Sequence, residues 1–252
     1  MLYVGTSGWQ YPHWKRAFYP DRLPQREWLR YFAQHFQTVE VNNTFYNLPE
    51  RSVFERWKAH TPPDFIFALK MSRYLTHLKH LRDPDEPVHR FMERANALGP
   101  KLGPVLLQLP PSFKVDVDRL DETLNVMSAA VRVAVEFRDA SWFTEETRHV
   151  LTRHGAALCI ADSPRRSQQH WRTADWGFVR FHEGRGGRAP GYDRDVLRAW
   201  ISRIAAMWTP NEEVFVYFNN DTAAYAIKDA TLFAQMAEAA GLRPTRVPSE
   251  AA

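Results

Sequence analysis

Short apolar runs recur eight times along the chain, and each is followed by a longer segment with helical or turn signals. The runs are rich in β-branched and aromatic residues and cover Leu2–Thr6, Thr38–Asn42, Phe65–Lys70, Val105–Leu109, Arg132–Phe137, Ala157–Ala161, Phe178–His182 and Val214–Asn219. Strands that alternate with helices form parallel sheets. Eight such units in 252 residues predict an α/β fold, a single (β/α)8 barrel domain.

The segments between the runs carry helix start and stop signals. Asp85–Leu98 begins with acidic residues and an early proline and is closed by Gly99, while Arg26–Phe36 and Asp193–Trp208 follow similar chemistry. We expect the barrel domain to cover residues 1–245 and a disordered tail to cover 246–252. An open doubly wound sheet is the alternative fold, but no glycine-rich dinucleotide motif supports it.

The alternation within each run predicts which side chains face the barrel interior. Val39 and Val41 oppose Glu40 and Asn42, and other strands repeat the pattern, with Glu136, Arg138, Arg180, His182, Tyr217 and Asn219 on the second face. Continuous apolar faces suit the surrounding helices, so the faces that turn polar near the strand ends line the barrel. The pattern predicts a polar mouth at the carboxyl ends of the strands, where barrel enzymes place their chemistry.

Candidate catalytic residues at this mouth are those that supply bases, acids and cations: Glu40, Lys70, Glu136, Arg138 and His182. Candidate substrate-binding residues are Asn42, Asn43, Arg73, His77, Gln108, Arg180, Tyr217, Asn219 and Asn220. Asp162 and Asp221 lie in the loops just beyond the strands. The alternative interpretation is that these charges only neutralise one another, as buried ions must.

Two loops near the mouth have unusual composition. The loop after the first strand carries Trp9, Tyr11, Trp14, Phe18 and Tyr19, which suit either stacking on a ligand or a hydrophobic lid. The segment 183–188 after the seventh strand combines arginine with glycine, which suits an anion, although a solvent-exposed loop is favoured for it.

The amino-acid composition limits the possible partners and the cellular compartment. Lys and Arg number 33 against 29 Asp and Glu, a mildly basic balance that permits a phosphate or nucleic-acid partner. Cys159 is the single cysteine, which excludes an internal disulfide and favours an inert core thiol in a reducing compartment. No apolar stretch is long enough for a membrane helix, so we expect a cytoplasmic protein that is not membrane-bound.

No cofactor and no metal are predicted. The histidines fall mostly in helical segments, and Lys70, Arg138 and Arg180 already supply positive charge at the mouth. A single divalent cation on Glu40, Glu136, Asp162 or His182 stays an open alternative.

Seven motifs resemble one known family. They are GTSGW at Gly5–Trp9, TVEVNNTFYNLP at Thr38–Pro49, LTHLK at Leu75–Lys79, and, further on, GPVLLQLPPSF, AVEFRDASW, VRFH and VYFNN. Together they are similar to the YecE-like family, a domain of unknown function (72) found in bacteria and archaea. The resemblance implies a TIM barrel, likened to endonuclease IV-like and xylose isomerase-like barrels, without a settled activity.

The resemblance also bears on individual residues. The family's recurring polar positions match Glu40, Asn42, Lys70, His77, Gln108, Glu136, Arg138, Arg180, His182 and Asn219. Two positions depart from the family pattern, with Asp139 where relatives often have histidine and Glu183 where glycine is common.

The leading hypothesis is an enzyme that acts on a phosphate-bearing substrate, a nucleotide or nucleic acid. Lys70, Arg138 and Arg180 would stabilise negative charge, with Glu136 or Glu40 as general base and His182 as acid. The alternatives are a carbohydrate-active or isomerase-like barrel enzyme, because paired carboxylates beside aromatics suit sugars, and a non-catalytic nucleic-acid-binding module.

Overall fold

The chain folds into a closed barrel of parallel strands. The computed structural model describes residues 1–128, 131–162, 169–182 and 191–249. The barrel strands within these ranges are β1 (Leu2–Ser7), β2 (Thr38–Val41), β3 (Ile66–Lys70), β4 (Leu102–Gln108), β5 (Val133–Glu136), β6 (Ala157–Asp162), β7 (Gly177–Phe181) and β8 (Val214–Phe218). They pair in sequence order, and β8 closes on β1. The predicted single-domain (β/α)8 barrel is confirmed.

Helices pack on the outside of this barrel. They are α1 (Trp28–His35), α2 (Asn43–Tyr46), α3 (Arg51–Ala59), α4 (Asp85–Ala95), α5 (Val117–Ser128), α6 (Glu145–Arg153), α7 (Arg194–Met207) and α8 (Tyr225–Ala239). Short 3-10 turns cover Pro12–Trp14, Gln25–Glu27, Asn96–Lys101, Ala140–Trp142 and Thr222–Ala224, and a π-helical turn covers Tyr74–Leu78. In the connection from β6 to β7, the described residues 169–176 contain no helix, a departure from the regular alternation expected from the sequence.

Two separate apolar layers confirm the predicted alternation of side chains. The larger layer lies between strands and helices and includes Val39, Val135 and Val216, whose neighbours in sequence point inward. The smaller layer fills the barrel itself and includes Ala134, Phe178 and other side chains, namely Tyr3, Ala68, Leu106, Ala157, Cys159, Trp176, Phe215 and Tyr217. Seven of the eight described strands contribute to both layers. The exception is β2, whose inward residues Thr38 and Glu40 are polar. Cys159 is buried inside the barrel as expected.

The end of α4 and the start of β4 differ from the boundaries expected from the sequence. Helix α4 ends at Ala95, earlier than the predicted Leu98, and a 3-10 turn continues to Lys101. Gly99 within that turn has a φ of 58°, which lets the chain reverse into β4 three residues before the predicted Val105.

The chain after residue 245 still packs on the barrel. Arg246 donates hydrogen bonds to Asp64 at 3.0 Å and to the carbonyl of Ala33 at 3.1 Å, and Pro248 is buried. Packing thus extends past the domain boundary expected at 245, to at least Ser249, whose carbonyl accepts from Gln235 at 2.9 Å. Residues 250–252 of the expected tail lie outside the described residues.

None of the described helices combines the length and the apolar character needed to cross a membrane.

The close approach of β1 and β2 gives a test of barrel packing. A Cβ added at Gly5 would lie closer than van der Waals contact to the carbonyl oxygen of Thr38 and 3.1 Å from its Cγ2. We expect Gly5→Ala to lower the free energy of unfolding by about 1–3 kcal/mol, because backbone atoms cannot move aside cheaply. Urea denaturation measures this. Gly241→Asn is the control: no atom lies within 4 Å of the added Cβ, and the left-handed φ alone costs about 0.5–1 kcal/mol. A loss for Gly5→Ala no larger than that for Gly241→Asn would contradict the packing.

Candidate active site

A cavity of about 520 Å³ opens at the carboxyl ends of the strands. It is lined by Tyr11, Asn42, Phe45, Tyr46, Lys70, Arg73, His77, Gln108, Arg138, Arg180 and Asn219. Eight of these eleven residues belong to the set predicted from the sequence. The alternation of each strand and the common level at which the strands end bring them together.

Arg180 is the central group of the cavity floor. It points inward from β7, and its side chain is only 2% exposed. One terminal nitrogen lies 2.7 Å from Glu40 Oε1 on β2, and the other lies 2.5 Å from Glu136 Oε2 on β5. Both carboxylates are fully buried. A single guanidinium therefore joins three strands that are not neighbours in the barrel, and it supplies one positive charge against the two carboxylates.

Three further groups surround this ion triad. Arg138 donates from Nε to Glu136 Oε1 at 3.0 Å, and its side chain is partly exposed to the cavity. His182 Nε2 lies 3.4 Å from Arg180 Nη1 and 3.7 Å from Glu136 Oε1. Asn219 places its amide nitrogen 3.1 Å from the other ring nitrogen of His182. The triad is thus part of a wider polar network that runs from β5 to β8.

The protonation of Glu136 argues against the base role expected for it. Burial alone would raise the pKa of Glu136, but Arg180, His182 and Arg138 outweigh burial and hold the pKa well below its usual range. A general base works best with a pKa near the working pH. Glu40 gives Oε1 to Arg180, whereas its Oε2 has no hydrogen-bond partner among the described residues, so Glu40 stays a candidate for the general base.

Both histidines near the mouth are held neutral. Burial and the neighbouring Arg180 lower the pKa of His182, with Glu136 partly opposing them. Burial, followed by Lys70, Arg138 and Arg73, lowers the pKa of His77 to about 4. A neutral imidazole has no proton of suitable acidity at pH 7, so the expected role of His182 as general acid is disfavoured as well.

Lys70 occupies the wall of the cavity at the end of β3. Its residue is 7% exposed, and Nζ lies 4.1 Å from the ring centroid of Phe45, a contact that favours a cation. Phe45 belongs to the four-residue helix α2, and its ring also meets the edge of His77 at 4.9 Å. His77 in turn lies on the π-helical turn after β3, an irregularity that is frequent at functional sites.

Three residues expected to bind substrate lie elsewhere. Asn43 is the exposed first residue of α2. Tyr217 is fully buried one layer below the mouth, where its hydroxyl lies 2.7 Å from Thr38 Oγ1. Asn220 is buried and donates to Asp229 at 2.6 Å. These placements correct the expected set, because alternation identifies the inward face of a strand but not the depth of each side chain.

The cavity wall also contains two aromatic residues that the sequence analysis did not single out, Phe45 and Tyr46 on α2. Tyr11, from the aromatic loop after β1 that the sequence analysis did single out, lines the cavity as well. Tyr46 is 69% exposed at the rim. The signal that would have revealed α2 is its position directly after the polar end of β2. In the loop after β1, Trp9, Trp14, Phe18 and Tyr19 are buried in the outer core, which supports the packing alternative for them.

The candidates in the loop after β7 lie outside the described residues, and these include Glu183 and the arginine-glycine segment 183–188. Asp162 is described and is buried at the end of β6. Across the described ranges, no group of three or more His, Cys, Asp or Glu side chains comes together in a geometry that could hold a metal ion.

The comparison with protein families agrees with these motifs. A family model described as "Protein of unknown function DUF72" matches residues 3–252. The chain belongs to the DUF72 family. Among curated relatives, the DUF72 chain is 32% identical to "UPF0759 protein YecE" of Escherichia coli K12, over 65% of the chain and 60% of that relative's length. It is 25% identical to "UPF0759 protein YunF" of Bacillus subtilis 168, over 98% and 99%.

Solved structures support the same family and fold. A DUF72 family protein from Thermotoga maritima MSB8 superposes with a TM-score of 0.80 at 31% identity, covering 94% of this chain and 99% of the other. A D-psicose 3-epimerase from Clostridium cellulolyticum H10 gives a TM-score of 0.53 at 14% identity, over 94% and 96%. At that identity the epimerase shares only the barrel fold with this DUF72 protein.

The ion triad generates a stability prediction for the DUF72 protein. Arg180→Met leaves the buried Glu40 without its cation and Glu136 with Arg138 alone, and we expect the free energy of unfolding to fall by about 3–5 kcal/mol. The triple variant Arg180→Met, Glu40→Gln, Glu136→Gln removes those charges and recovers most of the loss. Urea denaturation at pH 7 measures all three proteins.

Arg138→Met is the matched control for this series. Its side chain is 23% exposed and bonds only one oxygen of Glu136, so its removal costs about 1 kcal/mol or less. A loss for Arg180→Met no larger than that for Arg138→Met, or a triple variant less stable than the single one, would contradict the central role of Arg180.

Proposed function

We propose that this DUF72 protein is an enzyme that acts on a small phosphate-bearing substrate bound in the mouth cavity. The observation that carries the proposal is the sign of the charges facing the cavity. The described lining residues include Lys70, Arg73, Arg138 and Arg180, and none of them is an Asp or Glu. A concave site with one sign of charge attracts ligands of the opposite sign.

The depth of the carboxylates explains the excess of positive charge. Glu40 and Glu136 lie beneath the cavity surface and are both engaged by Arg180. Arg138 shares Glu136, whereas Arg73 is exposed at the rim. The buried anions therefore neutralise the floor, while the outer cations remain available to a ligand. Charge-assisted hydrogen bonds from arginine are well suited to phosphate oxygens.

The polar atoms of the wall support a ligand with hydroxyl or amino groups beside its phosphate. Gln108 is 3% exposed, and its Oε1 has no hydrogen-bond partner among the described residues. Oδ1 of Asn42 is also buried and has no hydrogen-bond partner among the described residues. Buried acceptors without a partner are costly, so each favours a donor from a ligand or from water.

The size of the cavity favours a small molecule over a nucleic-acid strand. A volume of about 520 Å³ falls within the range of roughly 300–1,000 Å³ typical of metabolite sites. A sugar phosphate or a mononucleotide fits this volume. We therefore narrow the proposed substrate class to phosphorylated metabolites of that size.

The carbohydrate alternative is weaker on chemical grounds. Hydrolysis of glycosides generally needs one carboxyl group as acid and a second as nucleophile or base. Here Glu40 and Glu136 are both locked against Arg180, and the low pKa of Glu136 removes it as an acid at neutral pH. The similarity to the epimerase concerns the fold alone and adds no support for sugar chemistry.

Phosphate binding provides the first test of the proposal. We expect inorganic phosphate to bind saturably, as measured by isothermal titration calorimetry, and Arg73→Gln to weaken binding about tenfold because one charge-assisted contact is worth roughly 1.5 kcal/mol. Arg243→Gln removes the same charge at the opposite end of the barrel, beside the start of β1, and is the matched control. Equal affinity in both variants would contradict the proposed site.

Turnover provides the second part of that test. Wild type and Lys70→Met are incubated with sugar phosphates, nucleoside monophosphates and phosphodiesters, and products are followed by mass spectrometry. Conversion by wild type that is lost in Lys70→Met supports an enzyme. Oligonucleotide binding that falls steeply with salt, without binding of any mononucleotide, supports the nucleic-acid-binding alternative instead.

A further inference from the structure

Two lysines of the described residues, Lys70 and Lys101, are buried, and they differ in their hydrogen bonding. Lys101 is 6% exposed, and its Nζ donates to Lys58 O at 2.6 Å, Thr61 O at 2.7 Å and Thr61 Oγ1 at 3.0 Å. All three ammonium protons of Lys101 are therefore used. Lys70 is equally buried, yet its Nζ forms no hydrogen bond or ion pair with any described residue. Lys101 has a structural role, whereas Lys70 lines the cavity with a nitrogen that forms no hydrogen bond or ion pair among the described residues.

The absence of a carboxylate partner for Lys70 within the described residues follows from the ion triad. Glu40 and Glu136 are the nearby anions, and Arg180 binds both of them. A buried ammonium without a directly bonded anion is poorly solvated, and neighbouring guanidinium groups repel it. Although the Phe45 ring favours the cation, the arrangement as a whole makes the ammonium of Lys70 easier to deprotonate than that of an exposed lysine, and the neutral amine is the nucleophilic form.

The protonation of Lys70 agrees with this geometry. Burial, followed by Arg180 and Arg138, lowers the pKa of Lys70 to about 8, although Glu40 and Glu136 partly oppose the shift. At pH 7 roughly a tenth of the Lys70 side chains are then unprotonated, against well under a thousandth for an ordinary lysine.

We propose that Lys70 is a nucleophile that forms an imine with the carbonyl carbon of the substrate. The substrate would then be a phosphorylated aldehyde or ketone, and this part of the proposal rests on the phosphate site described above. Arg73 at the rim and Lys70 on the buried wall would engage opposite ends of one molecule.

The step is balanced without an oxidant or a second reactant. The lone pair of the neutral Nζ attacks the carbonyl carbon, and the C=O π electrons move to oxygen. Transfer of one proton from nitrogen to that oxygen gives a carbinolamine. Departure of the hydroxyl with another proton, as water, leaves the C=N bond of the imine. Arg138 and Arg180 stabilise the negative charge that develops on oxygen during the attack.

Reductive trapping tests the proposal directly. Wild-type protein is incubated with glyceraldehyde 3-phosphate and sodium cyanoborohydride, and the adducts are mapped by peptide mass spectrometry. We expect Lys70 to be modified at least tenfold faster than any exposed lysine, and the fast adduct to disappear in Lys70→Arg. Lys114→Arg, at a side chain that is 74% exposed, keeps the adduct and is the matched control. Modification spread over exposed lysines, with Lys70 no faster than they are, would overturn the proposal.

Unphosphorylated glyceraldehyde separates this proposal from the proposed function. If both aldehydes modify Lys70 at equal rates, imine formation stands and phosphate selectivity fails. If inorganic phosphate binds and Arg73→Gln weakens it while Lys70 stays unreactive toward both aldehydes, the imine is excluded and the phosphate site stands.

The pH dependence of Lys70 gives an independent prediction that requires no carbonyl substrate. The neutral amine accumulates as pH rises through the pKa of the folded protein, so labelling of Lys70 by acetic anhydride should reach half of its maximum near pH 8. Exposed lysines reach that point near pH 10. Quantitative mass spectrometry of the labelled peptides measures both. A half-maximum for Lys70 at the same pH as for Lys114 would contradict the amine proposed here.

Discussion

The contact between Arg180 and two buried carboxylates is the interaction on which the mouth of this barrel depends. A guanidinium from β7 reaches Glu40 on β2 and Glu136 on β5, so one side chain joins strands that are not neighbours in the sheet. Isolated charges are very unfavourable in such a place, but a planar fork with two carboxylate partners satisfies them mutually. The triad therefore defines the floor of the cavity.

The triad also determines the chemical character of what lies above it. Arg180 engages one oxygen of each acid, and together with His182 and Arg138 it holds the pKa of Glu136 well below its usual range, which makes Glu136 a weak base. The cations of the wall and rim then dominate the field in the cavity. The two carboxylates that the sequence places at the mouth lie below the cavity surface, and the described lining carries Lys70, Arg73, Arg138 and Arg180 instead.

The floor formed by Arg180, Glu40 and Glu136 rests on an apolar layer inside the barrel that combines small and aromatic side chains. Ala68, Ala134 and Ala157 leave space that is filled by Phe178 and other aromatic residues of the inner layer. Above that layer the inward positions are polar, so the barrel changes from an apolar core to an ionic floor within one or two residues of each strand. The short helix α2 then brings Phe45 over the nitrogen of Lys70 and completes the wall.

Alternation and strand number are local properties of the chain, so they were sufficient to predict the barrel, the inward face of each strand and most of the cavity lining. The sequence also pointed to the family through motifs such as TVEVNNTFYNLP. The hydrogen-bond partners of the charged side chains, and the depth of each side chain in the barrel, could be seen only in the folded protein. Distances between segments far apart in the chain determine which acids Arg180 binds and place Tyr217 below the cavity. The same distances give Lys70 and Lys101 their different surroundings. Such distances arise only when the barrel closes.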